Sequence, residues 1–310
     1  MKKIGFIFPG QGAQTVGMGR DFYEASQIAR KVYEEADLFL GFSVSDLCFK
    51  GPEELLQQTV NTQIAIFVTC IAILRVIQNE FPKLTPALAC GLSIGEFTAL
   101  VSLNSVSFAH GLKIVKRRGE LMEEAAKKTS GTMTSILGLS REACVELCRQ
   151  TGVQAANFNS PEQTVISGDS KQIQNALEIF KERGAKRVIP LRVGGAFHSS
   201  LMASARPGLE TTLAQIEIQK PQGIYVSNVT GEEVADSNKI RSLLLEQLTS
   251  PVEWVKSMRT AAHLGISELI EVGPGKVLKG LAKRIDSNLN VTSIGSFSDL
   301  ELLAQTVVGS

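Results

Sequence analysis

Short apolar runs alternate with longer stretches of helical periodicity in the first 130 residues of the chain. The run Ile4–Phe8 and residues 87–90 have the length of strands, whereas residues 95–101 and Phe108–Lys127 have helical patterns. This alternation is typical of helices layered on a mainly parallel sheet. The sequence therefore predicts an α/β fold with a larger lobe that begins with residues 1–130.

Between residues 131 and 193 the pattern changes. Strand-like and helical segments follow one another in the order β-α-β-β-α-β, which is that of a ferredoxin-like subdomain. We expect residues 131–193 to form this small subdomain and residues 194–310 to return to the larger, hydrolase-like lobe. An active site is then expected in the cleft between the lobes, a common position for ligand sites. The predicted segments are residues 132–138, 140–150, 153–159, 163–168, 170–183 and 186–193.

Charge is almost balanced over the 310 residues, with 32 Lys and Arg against 31 Asp and Glu. A net charge of +1 gives no field that would favour nucleic acid or a membrane surface as a partner. The longest apolar run, residues 64–74, is cut by Arg75, and we expect it to be too short to span a bilayer. The apolar stretch at the N-terminus is also too short for a secretory signal. These features predict a cytoplasmic protein.

The five cysteines are an odd number without the spacing of a disulfide framework. Cys144 and Cys148 are four residues apart on a predicted helix, but no second pair of Cys or His accompanies them. We therefore expect no zinc site and no other metal. Reduced thiols in the core are the expected state, as in a cytoplasmic enzyme.

Ser93 has a glycine two positions away on each side, Gly91 and Gly95. This spacing suits a sharp turn between a strand and a helix, because only glycine lets the two backbones pass closely. Such a turn exposes the serine hydroxyl and leaves the first N–H groups of the helix free behind it. The motif predicts a nucleophile at Ser93 and an oxyanion donor at the backbone N–H of Ile94.

A serine nucleophile needs a base, because its hydroxyl is almost fully protonated at neutral pH. Of the three histidines, His198 lies in a loop of glycine and other small residues, whereas His110 and His263 fall within predicted helices. His198 is therefore the candidate base. The other two are expected to be structural or surface residues.

Arg118 has an unusual position in the predicted helix Phe108–Lys127. At about 100° per residue it lies near the middle of the apolar face, while the other charged residues lie on the opposite side. Burial of an unpaired guanidinium is unfavourable, so Arg118 needs an anion. The pattern leaves open whether that anion is a carboxylate of the protein or of a ligand. The apolar face contains Phe108, Leu112, Ile114, Val115, Leu121, Met122 and Ala125.

Three segments carry a resemblance to a known family: the loop Pro9-Gly10-Gln11-Gly12, the turn at Ser93 followed by Glu96, and Phe197-His198-Ser199-Ser200-Leu201-Met202. Together they resemble the malonyl-CoA:acyl carrier protein transacylases of fatty-acid synthesis. The resemblance extends from Phe8 to about Leu281 and includes the segment at residues 272–276. One difference is Leu92, where the family usually has histidine. The turn requires only its glycines and serine, so we expect the chemistry to survive without that histidine's contribution to specificity and rate.

The resemblance implies roles for further residues. It implies that a backbone carbonyl, at Gln247, orients His198, which gives a dyad rather than a triad. The side chain of Gln247 is then expected to matter less than the shape of its loop. The second oxyanion donor is implied to be the backbone N–H of Gln11. The same two-lobe fold is also implied.

The resemblance implies that the anion paired with Arg118 belongs to a ligand. In that family an arginine directly before a glycine, here Arg118 before Gly119, binds the free carboxylate of the malonyl group. A bidentate contact would select malonyl over acetyl, because a neutral acyl group would leave the charge unpaired. A phenylalanine before the histidine, here Phe197, accompanies malonyl units in such enzymes. Gln63 matches a glutamine near the acyl pocket, and Asn157 and Asn159 match paired asparagines near the pantetheine.

The resulting prediction is an enzyme with ping-pong transfer of a malonyl group from malonyl-CoA to the pantetheine thiol of acyl carrier protein. The reaction proceeds through an ester on Ser93 and is expected to need no cofactor. We expect a monomer. Because acyl carrier proteins are acidic, a basic surface beside the cleft is also expected. Two candidate clusters stay open: Lys181, Arg183, Lys186 and Arg187, and Lys276, Lys279, Lys283 and Arg284.

Three alternatives are considered. A serine thioesterase or other hydrolase shares the turn but has its histidine near the C-terminus, whereas more than a hundred residues follow His198 here. An inactive carrier-binding module is disfavoured by the presence of Ser93, His198 and Arg118 together. An acyltransferase of a polyketide pathway is not excluded by the sequence.

Overall fold

Two β-sheets organise the protein, for which a computed structural model describes residues 3–308. Five strands form a parallel sheet, and four form an antiparallel sheet. The strands of this part of the chain are β1 (Ile4–Phe8), β2 (Leu88–Gly91), β3 (Gly131–Leu137), β4 (Gln154–Ser160), β5 (Gln163–Asp169), β6 (Arg187–Pro190), β7 (Ile224–Tyr225), β8 (Glu268–Val272) and β9 (Asn290–Ile294).

Helices cover the faces of both sheets. Two further turns of 3₁₀ helix, Ser200–Ala205 and Phe297–Asp299, connect longer elements. The α-helices are α1 (Arg20–Ala25), α2 (Gln27–Leu40), α3 (Val44–Lys50), α4 (Glu53–Leu56), α5 (Thr59–Glu80), α6 (Gly95–Ser102), α7 (Phe108–Lys127), α8 (Arg141–Thr151), α9 (Ser170–Glu182), α10 (Arg206–Ala214), α11 (Ser237–Glu246), α12 (Trp254–His263), α13 (Val277–Ile285) and α14 (Leu300–Val308).

The parallel sheet has the strand order β7-β2-β1-β8-β9. Its strand β2 is fully buried, and β1 is buried from Gly5 onward, as expected for apolar strands with helices on both faces. In the register of β1 and β2, Phe8 lies opposite Gly91. The loops that follow the two strands therefore emerge at the same edge of the sheet, where ligands bind in open α/β sheets.

Helix α5 fills the core of the larger lobe. It is 22 residues long, and it is the single helix within residues 3–308 that is long and apolar enough to cross a membrane by length and composition. The apolar run is thus part of a longer helix than the sequence suggested, and the prediction that it is too short was wrong. However, 83% of its most apolar window is buried inside the protein. Burial rather than length identifies it as a core helix.

The antiparallel sheet has the order β4-β5-β3-β6, and helices α8 and α9 pack on it. This is the topology of a ferredoxin-like βαββαβ unit, so the predicted fold class is confirmed. Strand β6 ends at Pro190, earlier than the predicted residue 193. Cys144 and Cys148 are buried in the core between this sheet and its helices. The division into lobes at residues 130/131 and 193/194 stays a prediction.

The antiparallel sheet is attached to the larger lobe beside the segment after α11. Val252 pairs with β4: its N–H donates to Ala156 O over 2.8 Å, and its carbonyl accepts from Phe158 N over 2.9 Å. Next to it, Arg141 and Glu253 form a two-pronged ion pair with N···O distances of 2.5 and 2.6 Å. These contacts fix the position of the segment that contains Gln247.

Candidate active site

The turn after β2 forces Ser93 into a left-handed conformation, with φ of 54°. Both flanking glycines are required by close backbone contacts. A Cβ on Gly91 would lie 2.1 Å from the carbonyl carbon of Gly95, and a Cβ on Gly95 would lie 2.3 Å from Phe8 O. No side chain fits in such space, so these positions need glycine. The predicted sharp turn between strand and helix is present, and it presents Ser93 at the edge of the sheet.

Asn228, which the sequence analysis missed, braces this turn. Its side-chain oxygen accepts from Ser93 N over 2.7 Å, and its side-chain nitrogen donates to Gly91 O over 2.6 Å. The side chain is completely buried. It therefore satisfies a donor and an acceptor of a backbone that the left-handed turn leaves without regular partners. Nothing in the sequence near residue 228 indicates this contact, which joins positions 135 residues apart.

His198 lies against Ser93. Its Nε2 is 2.8 Å from Ser93 Oγ, and its Nδ1 is 2.8 Å from the backbone carbonyl of Gln247. A carbonyl can only accept, so Nδ1 carries the proton and the lone pair of Nε2 faces the serine hydroxyl. This is the tautomer that a base for Ser93 requires. His198 also has a positive φ, 56°, which matches the tight loop predicted around it.

The imidazole of His198 is neutral in this environment. Burial lowers its pKa to about 4, and the positive charge of Arg118 contributes to the decrease. Hydrogen bonds with the backbone at Gln247 and Ser250 act in the opposite direction. His198 is therefore available to accept a proton throughout the neutral range.

Arg118 is buried at the middle of α7, as its position in the apolar face predicts, with only 1% of its surface exposed. Its Nη1 donates to Gln63 Oε1 over 2.6 Å. Its Nη2 donates to Gln247 Oε1 over 2.8 Å and to Ser93 Oγ over 3.2 Å. The guanidinium thus lies directly beside the candidate nucleophile, and Gln63 is one of its supports.

No carboxylate contacts Arg118 in the part of the chain that the structure describes. Its partners there are neutral oxygen atoms, and its Nε has no partner among these residues. Burial lowers the pKa of Arg118 to about 10, while Glu96 raises it. The side chain therefore stays charged at neutral pH. Of the two anions that the sequence left open, a protein carboxylate in direct contact with Arg118 is absent from the described residues.

Glu96 is a second buried group, which the sequence analysis named in the motif at Ser93 without giving it a role. It is the one charged residue in α6, and it is completely buried. Tyr225 OH, Asn228 N and Gln247 Nε2 all donate hydrogen bonds to its carboxylate. A single charged residue in a helix that is otherwise uncharged was the available sequence signal for Glu96.

The Gln247 side chain has more contacts than expected. It is fully buried, its amide nitrogen donates to Glu96 and to Ser93 O, and its oxygen accepts from Arg118. The expectation that the side chain matters less than the shape of its loop does not account for these contacts. Its carbonyl does lie against His198, as expected from the resemblance.

The predicted oxyanion donors, Gln11 and Ile94, are both close to Ser93. Gln11 lies in the loop after β1 and lines the same cavity as Ser93, and Ile94 follows Ser93 directly as the N-cap residue of α6. Within residues 3–308 neither N–H donates to another protein group. Gln14 holds the loop in place, since its Oε1 accepts from Gly12 N over 2.7 Å and its Nε2 donates to Gln57 Oε1 over 2.7 Å. Gln14 and Gln57 were not predicted from the sequence.

A cavity of about 330 Å³ opens at Ser93, between residues of the two sheets. Its lining includes the predicted Phe197, Asn157 and Asn159, and Asn159 Oδ1 is buried without a protein partner among the described residues. Leu92 also lines it and lies close over Gly10, where a Cβ would come within 2.7 Å of the leucine side chain. Further lining residues are Gln11, Gly12, Met122, Met133, Val165, Leu191, Arg192, Val193 and His198.

The other histidines lie away from this cavity: His110 is in the first turn of α7, and His263 is exposed at the end of α12. Both candidate basic clusters are exposed, which leaves the choice between them open. Between residues 3 and 308 no group of three His, Cys, Asp or Glu side chains could hold a metal ion.

Comparison with known proteins gives a consistent result. Residues 5–296 match the family model described as acyl transferase domain. The malonyl CoA-acyl carrier protein transacylase of Bacillus subtilis is 39% identical over 312 aligned positions, covering 99% of this chain and 98% of that protein. The protein of the same name from Escherichia coli K12 is 39% identical, covering 95% of this chain and 96% of the relative.

Solved structures of proteins with the same kinds of name are also similar to this chain. An acyl carrier protein S-malonyltransferase from Vibrio cholerae superposes with a TM-score of 0.94 at 38% identity, over 97% of this chain and all of the other. A malonyl-transacylase in complex with its type II PKS acyl-carrier protein has a TM-score of 0.95 at 35% identity, with both chains fully covered.

Proposed function

The chain belongs to the malonyl CoA-acyl carrier protein transacylase family, and on this premise we propose that it transfers the malonyl group of malonyl-CoA to the pantetheine thiol of an acyl carrier protein. The observation that carries the proposal is the contact of Ser93 Oγ with both His198 Nε2 and Arg118 Nη2. Ser93 and His198 thereby line one cavity, and the buried guanidinium of Arg118 contacts the serine oxygen.

In the first half-reaction, Ser93 Oγ attacks the thioester carbonyl carbon while His198 Nε2 takes the hydroxyl proton. Negative charge develops on the carbonyl oxygen, where the N–H groups of Gln11 and Ile94 would stabilise it. The carbon–sulfur bond then breaks. CoA leaves as the thiol after receiving the proton from His198, and the malonyl group remains as an ester on Ser93.

In the second half-reaction the pantetheine thiol of the carrier protein enters the same cavity. His198, neutral because of its lowered pKa, accepts the thiol proton, and the thiolate attacks the ester carbonyl. The carbon–oxygen bond to Ser93 breaks, and the proton returns to the serine oxygen. The product is the malonyl thioester of the carrier protein, and the enzyme is regenerated.

Selectivity for malonyl is assigned to Arg118. Its buried guanidinium has only neutral partners among the described side chains, so a substrate carboxylate would supply the missing anion. A neutral acetyl group cannot do so, and its binding would leave the charge uncompensated. Phe197 and Gln63, beside the cavity and the guanidinium, are proposed to shape the acyl site. Asn157 and Asn159 are proposed to contact the pantetheine.

A carrier protein from a polyketide pathway is the second candidate acceptor, favoured by the similarity to a transacylase solved with a type II PKS carrier. The same site chemistry serves either carrier, because both would present a pantetheine thiol. We propose a fatty-acid carrier, as the resemblance of the sequence motifs to the transacylases of fatty-acid synthesis implies. Transfer rates with purified carriers of both kinds would decide between them.

We also propose a soluble, cytoplasmic and monomeric protein with lobes at residues 1–130 with 194–310 and at residues 131–193. Five unpaired, buried cysteines support a reducing compartment. Sedimentation and limited proteolysis would test the oligomeric state and the division into lobes.

The decisive experiment mixes the protein with equal malonyl-CoA and acetyl-CoA, without an acceptor, and measures its intact mass. A stable malonyl adduct that maps to Ser93, with little acetyl adduct, is the expected result. Release of CoA without a lasting adduct would instead indicate a thioesterase, in which water resolves the ester. Absence of both adduct and free CoA would contradict the proposal and leave an inactive carrier-binding module.

A further inference from the structure

Glu96 is a buried carboxylate to which the proposed mechanism gives no role. One of its oxygens accepts hydrogen bonds from Tyr225 OH and from Asn228 N at 2.9 Å. The other accepts from Gln247 Nε2. Three donors around one carboxyl group stabilise its ionised form, against the burial that raises its pKa. In this arrangement both oxygens of Glu96 act as acceptors, and all three neighbours present donors to it.

The Gln247 amide lies between this anion and the guanidinium of Arg118. Its nitrogen side faces Glu96 Oε2 and Ser93 O, and its oxygen side faces Arg118 Nη2 at 2.8 Å. A reversed amide would direct N–H groups at the guanidinium, which has only donors. The two buried charges therefore require one orientation of the amide, and that orientation gives Arg118 an acceptor.

We propose that Glu96 is a positioning residue for acyl selectivity: through the Gln247 amide it holds the Arg118 guanidinium where the carboxylate of the acyl group binds. This inference rests on the proposed function and deepens it. Arg118 Nη2 has its fixed partner in Gln247, and Nη1 has its own in Gln63. With both partners in place, the plane of the guanidinium is fixed before substrate enters. A two-pronged contact with a carboxylate depends on that plane.

The test variant is Glu96→Gln, which keeps the shape and removes the acceptor. The new amide keeps its oxygen towards Tyr225 and Asn228, so its NH₂ group meets the NH₂ group of Gln247. Relief of this contact requires Gln247 to reverse, which turns N–H groups towards Arg118. We expect kcat/KM for malonyl-CoA to fall about tenfold or more, while kcat/KM for acetyl-CoA changes less than about threefold.

Tyr225→Phe is the matched control. It removes a donor to the same carboxylate, retains the ring, and leaves the Gln247 orientation unchanged. It is expected to lower the melting temperature without changing the malonyl-to-acetyl ratio by more than about twofold. An equal change of that ratio in both variants would overturn the proposal, because it would indicate a general effect of weakening the buried cluster.

A double-mutant cycle with Arg118→Met separates positioning from plain structural support. If Glu96 acts through Arg118, Glu96→Gln causes no further loss of malonyl transfer in the Arg118→Met background. An equal loss in both backgrounds would overturn the inference. Ser93 acylation by malonyl-CoA in the parent protein is measured alongside, so a failure of the proposed function itself would be recognised separately.

Gln247→Met provides a second variant if Glu96→Gln does not fold. It removes the amide and keeps the backbone carbonyl that contacts His198. The same loss of selectivity is expected, measured as the ratio of malonyl to acetyl adducts on Ser93 in a competition. A parent-like ratio in a folded Gln247→Met protein would overturn the proposal.

Discussion

Arg118 Nη2 donates a hydrogen bond to Ser93 Oγ across 3.2 Å, although Ser93 lies in the turn before α6, Arg118 lies in α7, and the two are 25 positions apart. A substrate carboxylate bound to this guanidinium would lie within a few bonds of an acyl carbon attached to the serine. A short acyl chain that ends in a carboxylate is therefore expected to use this charge, whereas a neutral acyl group has no anion to pair with it.

Removal of the nucleophile is the first prediction. Ser93→Ala is expected to reduce malonyl transfer by about 10⁴-fold or more and to abolish the malonyl adduct, since no other group can form the ester. The measurement is carrier malonylation together with intact mass. Ser102→Ala, on the helix that follows the turn, is the control and should retain transfer within about twofold. Transfer that persists in Ser93→Ala would refute the ester mechanism.

Loss of the buried cation is expected to change selectivity. Arg118→Met should lower kcat/KM for malonyl-CoA by about 10²-fold or more, because the carboxylate loses its charged partner in a buried site. Acetyl-CoA should be affected much less. The neighbouring Arg117 is partly exposed and pairs with Glu120 at 3.0 Å. Arg117→Met is therefore the matched control, and an equal effect of both substitutions would argue against the assigned role.

The pH dependence of acylation follows from the position of His198. The base works only when neutral, and its pKa is lowered to about 4, so kcat/KM should decrease only as the pH falls through about 4. Arg118 contributes to that lowering, and its removal should therefore shift the acid limb to higher pH. Acetyl-CoA is the substrate for this comparison, because its acyl group does not need the arginine. An acid limb that stays in place in Arg118→Met would contradict the electrostatic coupling.

Asn228 is expected to support both stability and catalysis. Asn228→Ala leaves Ser93 N and Gly91 O without their buried partners, which should lower the free energy of unfolding by about 1–3 kcal/mol. The acylation rate should also fall, because the turn is no longer held at both ends. Denaturant unfolding and single-turnover acylation are the measurements. Asn288→Ala, in an exposed loop, is the control; a similar loss there would show that the effect is not specific to the turn.

Local patterns in the sequence predicted much of this site. The Gly-x-Ser-x-Gly spacing identified the turn, because the close backbone approach at Gly91 and Gly95 is a property of that short segment. The helical periodicity of residues 108–127 predicted the burial of Arg118 from the amphipathic pattern alone. The β-α-β-β-α-β order likewise predicted the antiparallel sheet, whose connections are short and local.

Contacts between distant segments were not predictable in this way. Glu96 is the only charged residue of α6, yet its partners Tyr225, Asn228 and Gln247 are more than a hundred positions away in the sequence. The side chain of Gln247 was given too small a role for the same reason, since its partners are also distant in the sequence. Its contacts exist only once α6, α7 and the segment after α11 are packed together.

The two sheets, the sharp turn at Ser93 and the burial of one arginine were predictable from the sequence, because backbone sterics and hydrophobic periodicity act over a few residues. The groups that satisfy the buried charges are known only from the packed fold. Hydrogen-bond partners are selected by distance and direction in space, and packing brings together Arg118, Gln247 and Glu96 from three parts of the chain whose separation in sequence carries no such information.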